Sequence, residues 1–273
     1  TAYGSNIFID DISVEVQPTC LPPTALTSTV STHSATVSFT GSISAPANGY
    51  EYELRTSGAA GSGATGLVVS GADAQLSHVL NTLTPNTAYT YYVRAICSGT
   101  DSSAWESRTF TTLAIAPAND NCFDAVSLTI NSDLACTTTV DGTLLGATAS
   151  GEGSTSVGTP DDDVWYKFIA TGTAHRIVLS SVTPATDLVH EVLAGDCGGG
   201  LYNIAISDPD TSNLTGLTVG TTYYVRVFSK AAASNATTTF KICVGTPPPP
   251  PANDECSGAV LLTPSSDLTC ASP

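Results

Sequence analysis

Residues 83–94 have the sequence LTPNTAYTYYVR, and apolar and polar side chains alternate from Tyr89 onward. Alternation with a period of two places successive side chains on opposite faces of a β-strand. The same alternation occurs earlier in the chain, at residues 35–39 and 50–54. These stretches therefore predict half-buried strands in the first third of the protein.

Similar strand-like segments continue into the second half of the chain. They are residues 164–169, 176–179, 189–193, 223–228 and 238–244. Clusters rich in Gly, Ser, Asn and Pro separate the segments, and no helical pattern persists over a helix-sized window. About ninety residues suit a seven-stranded sandwich and about 130 a larger, jelly-roll-like one. We therefore predict an all-β protein made of tandem β-sandwiches.

An internal repeat divides the chain further. Residues 117–122 (PANDNC) recur as residues 251–256 (PANDEC), and matching residues continue at a constant offset as far as Cys136 and Cys270. A constant offset over about twenty residues indicates one folded module that is used more than once. Five prolines, residues 247–251, precede the second copy and predict a stiff polyproline II spacer.

The predicted organisation has five segments. They are the final strand or strands of a preceding jelly-roll domain (1–17), a seven-stranded sandwich (18–113), the larger repeat module (117–246), the polyproline linker (247–251) and the start of a second copy of the module (252–273).

The composition excludes several classes of function. Among 273 residues, 24 are acidic and 8 are Lys or Arg, so the formal charge is −16. Such a charge argues against binding to nucleic acid or to an anionic membrane surface. No apolar run reaches the 18 or more residues of a membrane span, so we expect no membrane insertion in this segment.

The eight cysteines are predicted to form disulfides. They are widely spaced with no Cys-x-x-Cys pair, which argues against zinc and favours an oxidising, extracellular compartment. Cys256 and Cys270 have no other partner in their copy, which favours local pairing of their equivalents Cys122 and Cys136 and leaves Cys197 for Cys243. Cysteines of a complete second copy would allow other pairings.

The first module resembles a fibronectin type III domain. The resemblance is carried by residues 20–23 (CLPP), the strand that ends in Phe39, residues 83–95 and residues 110–112 (FTT). Its most specific element is Leu83 followed six residues later by Tyr89, which resembles a tyrosine corner. The family usually has Trp at the position of Phe39. The resemblance covers residues 18–113 and implies a Cys20–Cys97 disulfide, between the two cysteines of that segment.

The second module resembles the jelly-roll modules of secreted Bacteroidetes proteins, akin to pre-peptidase C-terminal domains. Residues 160–168 (PDDDVWYKF), 195–198 (GDCG) and 223–227 (YYVRV) carry the resemblance, and Leu217 and Tyr223 repeat the leucine-to-tyrosine spacing. It implies a long cell-surface adhesin or filament protein exported by the type IX route. Residues 8–14 are similar to the closing strand of a MAM-type or carbohydrate-binding jelly roll.

Two groups of acidic residues are candidate calcium ligands, because carboxylate oxygens are the ligands that Ca²⁺ prefers. The first group combines a run of three aspartates with two from a later loop. The second group is implied by the resemblance of residues 8–14 to the closing strand of a jelly roll, because such domains often hold a structural calcium there. The candidate ligands are Asp161, Asp162, Asp163, Asp208 and Asp210, and separately Asp10 and Asp11. The alternative for the first group is a solvated acidic loop. Structural Ca²⁺ is the one cofactor that the sequence suggests.

Aromatic side chains offer a second candidate site. Trp105 and Trp165 could stack on sugar rings, although packing in the core is the usual role of such residues. None of the four histidines lies in a His-x-x-x-His motif or beside a Gly-x-Ser-x-Gly motif. We therefore expect no catalytic residues.

These observations predict a non-catalytic structural segment of a large, disulfide-linked protein on the bacterial cell surface, an adhesin or filament. Its expected partners are other copies or neighbouring domains of the same long chain, and surface glycans. The alternative is a set of accessory carbohydrate-binding or spacer modules of a secreted hydrolase or protease.

Overall fold

The computed structural model describes residues 18–152, 156–232, 237–249 and 251–262 of the chain. The chain divides into two compact units between Ile115 and Ala116. Within the described residues, regular structure consists of strands and two three-residue 3₁₀ turns, so the all-β prediction is confirmed. None of the helical turns described is long and apolar enough to cross a membrane.

The first unit is a sandwich of two antiparallel sheets. Its strands are β1 Thr24–Val30, β2 Ala35–Thr40, β3 Tyr50–Arg55, β4 Leu67–Asp73, β5 Ser77–Leu80, β6 Ala88–Ala95 and β7 Glu106–Thr111. One sheet has the order β1-β2-β5, and the other has the order β4-β3-β6-β7. The alternation that marks β6 in the sequence has the expected result, because Tyr89, Tyr91 and Val93 are buried in the core between the sheets.

The second unit is a larger sandwich. Its strands are β8 Val126–Ser127, β9 Ile130–Asn131, β10 Val140–Thr143, β11 Val164–Ile169, β12 His175–Thr183, β13 Leu188–Ala194, β14 Tyr202–Ser207, β15 Thr211–Leu214, β16 Thr222–Ser229 and β17 Thr239–Gly245. One sheet has the order β10-β17-β12-β15, with β9 added in parallel to β17. The other sheet has the order β14-β13-β16-β11-β8.

Each sandwich contains a tyrosine corner. The Tyr89 hydroxyl accepts a hydrogen bond from the Thr84 backbone N–H at 2.9 Å in the first unit. The Tyr223 hydroxyl accepts one from the Thr218 N–H, also at 2.9 Å, in the second. Each corner therefore ties the start of a central strand to the turn before it, as the leucine-to-tyrosine spacing predicts.

The repeated sequence has the same local structure in both copies. A 3₁₀ turn covers Cys122–Asp124 in the first copy and Cys256–Gly258 in the second. In both, the second alanine of the repeat closes the turn: the N–H of Ala125 bonds to the Cys122 carbonyl, and the N–H of Ala259 bonds to the Cys256 carbonyl. The second copy has this structure while its residues are largely exposed, so the turn is encoded locally.

Three disulfides are present among the described residues, one within the first unit and two within the second. Cys20 pairs with Cys97, as the resemblance implies. In the second unit the predicted pairs Cys122–Cys136 and Cys197–Cys243 are wrong, because the structure joins Cys122 to Cys197 and Cys136 to Cys243.

The physical reason for the correction is the arrangement of strands. The parallel pairing of β9 with β17 brings the segment after Asn131 to the strand that carries Cys243. Cys122 instead packs beside Trp165 and Leu193, close to the β13–β14 turn that contains Cys197. Cys256 is exposed and has no disulfide partner among the described residues, and Cys270 lies outside them.

Removal of either corner hydroxyl should destabilise its own sandwich. We expect Tyr89→Phe and Tyr223→Phe each to lower the free energy of unfolding by about 1–2 kcal/mol, because a part-buried backbone N–H loses its acceptor. Urea unfolding followed by tryptophan fluorescence measures this, since Trp105 reports on the first unit and Trp165 on the second. Tyr92→Phe is the control, because its exposed hydroxyl makes only a 3.3 Å contact with the Gly58 carbonyl oxygen. A loss as large in the control as in the corner variants would contradict the prediction.

Candidate functional site: a groove beside a buried ionic cluster

The candidate site lies on one face of the sheet β14-β13-β16-β11-β8 of the second unit. On β11, Val164, Tyr166 and Phe168 point into the core between the sheets. The alternate residues of the strand, Trp165 and Lys167 among them, therefore point to the opposite side. We call that side the outer face; β16 contributes Tyr224 and Arg226 to it and β13 contributes Glu191 and Leu193.

One half of the outer face is sealed from solvent. Trp165 and Glu191 have no exposed surface, and Arg226 is 1% exposed. The segment between β10 and β11 covers this half, because the backbone carbonyl of Glu152 accepts a hydrogen bond from Arg226. The Cys122–Cys197 disulfide closes it further, since both cysteines pack against Trp165 and Leu193. Since the alternate residues of β13 are buried in the core between the sheets, all seven residues of this strand are buried.

The Arg226 guanidinium is the centre of this sealed half. Its Nε donates to the Glu191 carboxylate at 2.9 Å, and its Nη2 donates to the same oxygen. Its Nη1 lies 3.5 Å from the Asp163 carboxylate. Its planar face lies 5.5 Å from the ring centre of Trp165. A buried cation held in this way has both its charge and its hydrogen-bond donors satisfied.

Three buried aspartates hold loops around this half of the sheet through the same pattern of hydrogen bonds. In every case one carboxylate accepts both the backbone N–H and the hydroxyl of a single Ser or Thr. The pairs are Asp120 with Thr148, Asp163 with Ser150, and Asp162 with Ser229, at 2.7–2.9 Å. Burial raises the pKa of Asp162 and of Asp163, while the hydrogen bonds to their serines oppose the rise.

The carboxylates predicted to bind calcium are not brought together. Asp162 and Asp163 are engaged as above, and Asp208 pairs with the Lys230 ammonium at 2.8 Å. In the described ranges, only Cys20, Cys97 and Asp101 place three potential ligand atoms within 4.8 Å of one another, and both sulfurs belong to a disulfide. The predicted ligands Asp161, Asp162, Asp163, Asp208 and Asp210 therefore form no cluster in this structure, and Ca²⁺ binding by them stays a prediction. Asp162 and Asp163 are buried, so the alternative of a solvated loop does not describe them. Asp10 and Asp11 lie outside the described residues.

The repeated PAND motif has a structural role that the repeat alone did not reveal. The Asn119 carbonyl accepts the Trp165 N–H at 2.8 Å, and its amide donates to the Trp165 carbonyl at 2.9 Å. Asp120 holds Thr148, and Cys122 forms its disulfide with Cys197. The motif thus docks the start of the module onto the sealed half of the outer face.

The other half of the outer face is an open groove of about 430 Å³. It lies where the chain leaves the β14-β13-β16-β11-β8 sheet at Ser127 and joins the β10-β17-β12-β15 sheet, through β9, at Ile130. The groove lining combines hydroxyls, an aromatic ring, an ammonium group and apolar side chains. Its residues are Ser127, Leu128, Ile130, Lys167, Phe168, Ile169, Thr171, Thr222 and Tyr224. A concave site with a few convergent polar groups has the properties of a small-molecule site.

The tryptophans predicted as sugar platforms have other roles. Trp165 is fully buried, so that prediction is wrong; the covering loops that bury it cannot be read from its strand alone. Trp105 is partly buried, and the Arg94 guanidinium lies 4.6 Å above its ring. Arg94 also pairs with Glu51 at 2.6 Å, so one face of Trp105 is already covered by an ion-paired cation.

The first unit contains a chain of hydrogen bonds from Tyr91 through His78 to Asp73, with distances like those of a catalytic triad. Tyr91 Oη lies 2.6 Å from His78 Nδ1, and His78 Nε2 lies 3.1 Å from Asp73. His78 is buried, and Tyr91 has no exposed surface. Burial raises the pKa of Tyr91, so its hydroxyl stays protonated in the core. These hydrogen bonds therefore satisfy buried polar groups.

Two residues of the sealed half were missed by sequence reasoning, although each carried a signal. Glu191 stands within LVHEVLA and Arg226 within YYVRVF, both otherwise largely apolar strands. A single charge in such a strand indicates a buried pair, because an unpaired buried charge is too costly. Neither segment alone identifies the other as its partner.

Loss of the central cation should unfold the second sandwich more readily. We expect Arg226→Met to lower its free energy of unfolding by about 3–5 kcal/mol, because the buried Glu191 and Asp163 lose their counter-charge. Urea unfolding in a Trp105→Phe background measures this through Trp165. Lys241→Met, which breaks an exposed pair with Asp141, should change the value by under about 1 kcal/mol. Equal effects of the two substitutions would refute the assignment.

Acidification should stabilise the second sandwich through Asp162. Its folded pKa lies above its unfolded one, so its contribution is fully present below the ordinary Asp pKa and is lost as the pH rises through the raised value. We therefore expect the melting temperature to rise as the pH falls from 7 toward 4. Asp162→Asn, which keeps an acceptor for Ser229, should reduce this rise. An unchanged pH dependence in the variant would contradict the prediction.

Comparison with known proteins identifies both units. Residues 21–112 match the family model for the fibronectin type III domain. Residues 118–242 match the model described as galactose binding domain-like, which is associated with type IX secretion. No curated protein matches the chain.

Similar solved structures align with about a third to two fifths of the chain. They include a computationally redesigned β-sandwich protein (25% identity, 35% of this chain and 93% of that chain, TM-score 0.29), the fn3 domain of the human collagen alpha-1(XX) chain (22%, 38% and 95%, TM-score 0.31) and domains d3–d4 of the rat CD45 extracellular region (17%, 41% and 76%, TM-score 0.27).

Both domain types fit a non-catalytic extracellular module, and the three disulfides fit an oxidising compartment. The chain thus contains a fibronectin type III domain followed by a galactose-binding-like module of the kind associated with type IX secretion.

Proposed function

We propose that this chain is a force-bearing segment of a bacterial cell-surface adhesin or filament. The observation that carries the proposal is the position of the disulfides, which enclose most of each sandwich in a covalent loop. Neighbouring domains of the same long chain are the proposed mechanical partners, and surface glycans are the proposed adhesive ones.

The cross-link of the first unit shields most of it from tension. Cys20 precedes β1, and Cys97 lies 77 residues later, just after β6. A pull on the two ends of this unit therefore passes through the disulfide and bypasses strands β1 to β6. Only the segment after Cys97, which contains β7, can be peeled from the sandwich while the bridge is intact.

The second unit has an equivalent arrangement. Cys243 lies on the last strand, β17, and Cys136 lies 107 residues earlier, near the start of the module. The loop that this bridge closes contains every strand from β10 to β16. The Cys122–Cys197 bridge also anchors the docking motif to the β13–β14 turn. Tension applied to the ends of the module therefore has little chain to extend.

The alternative role is that of accessory modules of a secreted hydrolase or protease. The groove on the outer face favours it, since a carbohydrate-binding module requires a site of this kind. A spacer that carries no load has no need of bridges that connect the ends of each sandwich. Resistance to tension therefore distinguishes the two roles.

Single-molecule force spectroscopy tests the mechanical role. With the full chain held at both ends, we expect the oxidised protein to extend only outside its disulfide loops. Reduction with dithiothreitol should then add about 260 Å of contour length from the 77-residue loop and about 360 Å from the 107-residue loop, at ~3.4 Å per residue.

Single-bridge variants provide matched controls. Cys97→Ser should release only the 260 Å step without reductant, while the second unit keeps its limited extension. If the oxidised wild-type chain unfolds with steps as long as those of the reduced chain, the mechanical proposal fails.

A further inference from the structure

The groove contains the one cationic side chain without a polar partner in the described part of the chain. Five of the eight Lys and Arg side chains pair with carboxylates, and two bond to neutral side chains. Those five are Arg55, Arg94, Arg226, Lys230 and Lys241. Arg108 donates to Ser28 and Arg176 donates to Asn213. The remaining cation is Lys167, whose ammonium makes no hydrogen bond or ion pair to any described residue.

This absence is unexpected on charge grounds. The chain has three times as many acidic as basic residues, so a free ammonium at the surface would ordinarily attract a carboxylate of the same chain. Yet no Asp or Glu is among the residues that line the groove. The groove thus presents a single positive charge with no internal counter-charge.

The groups around Lys167 fit a sugar. Tyr224 is its direct neighbour across the β11–β16 pair, and its partly buried ring offers an aromatic surface for C–H groups. Hydroxyls of Ser127, Thr171 and Thr222 can both donate and accept hydrogen bonds. Ile169, which is 59% exposed, adds an apolar wall.

We propose that this groove binds an acidic saccharide, with the carboxylate of a hexuronate residue on Lys167 and its pyranose ring against Tyr224. An ammonium–carboxylate hydrogen bond is stronger than a neutral one, so the groove should prefer a uronate to the corresponding neutral sugar. An isolated phosphate would satisfy Lys167 and could accept from the hydroxyls, but it would leave the aromatic surface of Tyr224 unused. This site would exist whether or not the chain bears load.

A titration with matched oligosaccharides tests the proposal. The full, ¹⁵N-labelled chain is titrated with trigalacturonate and, separately, with α-1,4-galactotriose, while amide chemical shifts are recorded. We expect trigalacturonate to shift amides of β8, β11 and β16 and to bind at least tenfold more tightly than the neutral trisaccharide. Lys167→Gln should weaken binding about tenfold, Lys167→Arg should retain it, and Lys241→Gln should leave it unchanged.

Several results would overturn the inference. They are equal affinity for the two trisaccharides, shifts confined to other parts of the chain, or unaltered binding by Lys167→Gln. Shifts of the same amides that depend on protein concentration without sugar would instead assign the groove to a second copy of the chain. Inorganic phosphate that competes as well as trigalacturonate would assign Lys167 to a simple anion site. None of these results bears on the force measurement, so the two proposals can fail separately.

Discussion

A buried guanidinium organises the second sandwich. Arg226 lies on a central strand with 1% of its surface exposed, and its charge must be matched inside the protein. Glu191 on the neighbouring strand supplies one carboxylate, and Asp163 at the start of β11 supplies another. The segment that seals them contributes the Glu152 carbonyl, and the Asp163–Ser150 bonds hold that segment in place. The buried charge of Arg226 therefore requires both the neighbouring strands and the covering segment, and it helps to hold them together.

The disulfides stabilise the segments near the ends of each unit. In two of the three bridges both cysteines lie outside the strands, and in the third Cys136 precedes β10 while Cys243 lies on β17. Segments near the two ends of each unit are therefore connected covalently. The docking motif PAND adds hydrogen bonds from Asn119 and Asp120 to the same region. A module of this design keeps its entry segment attached to its body by hydrogen bonds and a disulfide.

The division of the outer face into two halves gives the module a surface for recognition. Under the covering loops, Arg226 is paired with Glu191 and Asp163, and this half of the face contributes stability. Beyond them, Lys167 and Tyr224 stand beside each other in an open groove. The contrast is informative, because a chain with a charge of −16 has many acceptors for its cations, yet Lys167 has no polar partner among the described residues. A surface charge left free beside an aromatic ring is available to a ligand.

The sequence by itself determined the features that depend on residues close together in the chain. The period-two alternation of β6 and β16, the two tyrosine corners and the 3₁₀ turn of the repeat all arise from contacts within a few residues. The pair Cys20–Cys97 could also be assigned, since the family resemblance implied it. Only the tertiary structure decided the pairing of the other four cysteines, the burial of Trp165 and the role of Asp162 and Asp163. These depend on the parallel addition of β9 to β17 and on loops that fold over a second strand face. Alternation of apolar and polar residues shows that one face of a strand is buried. The other face is covered by segments that are distant in sequence, and their docking produces no periodic pattern in the strand.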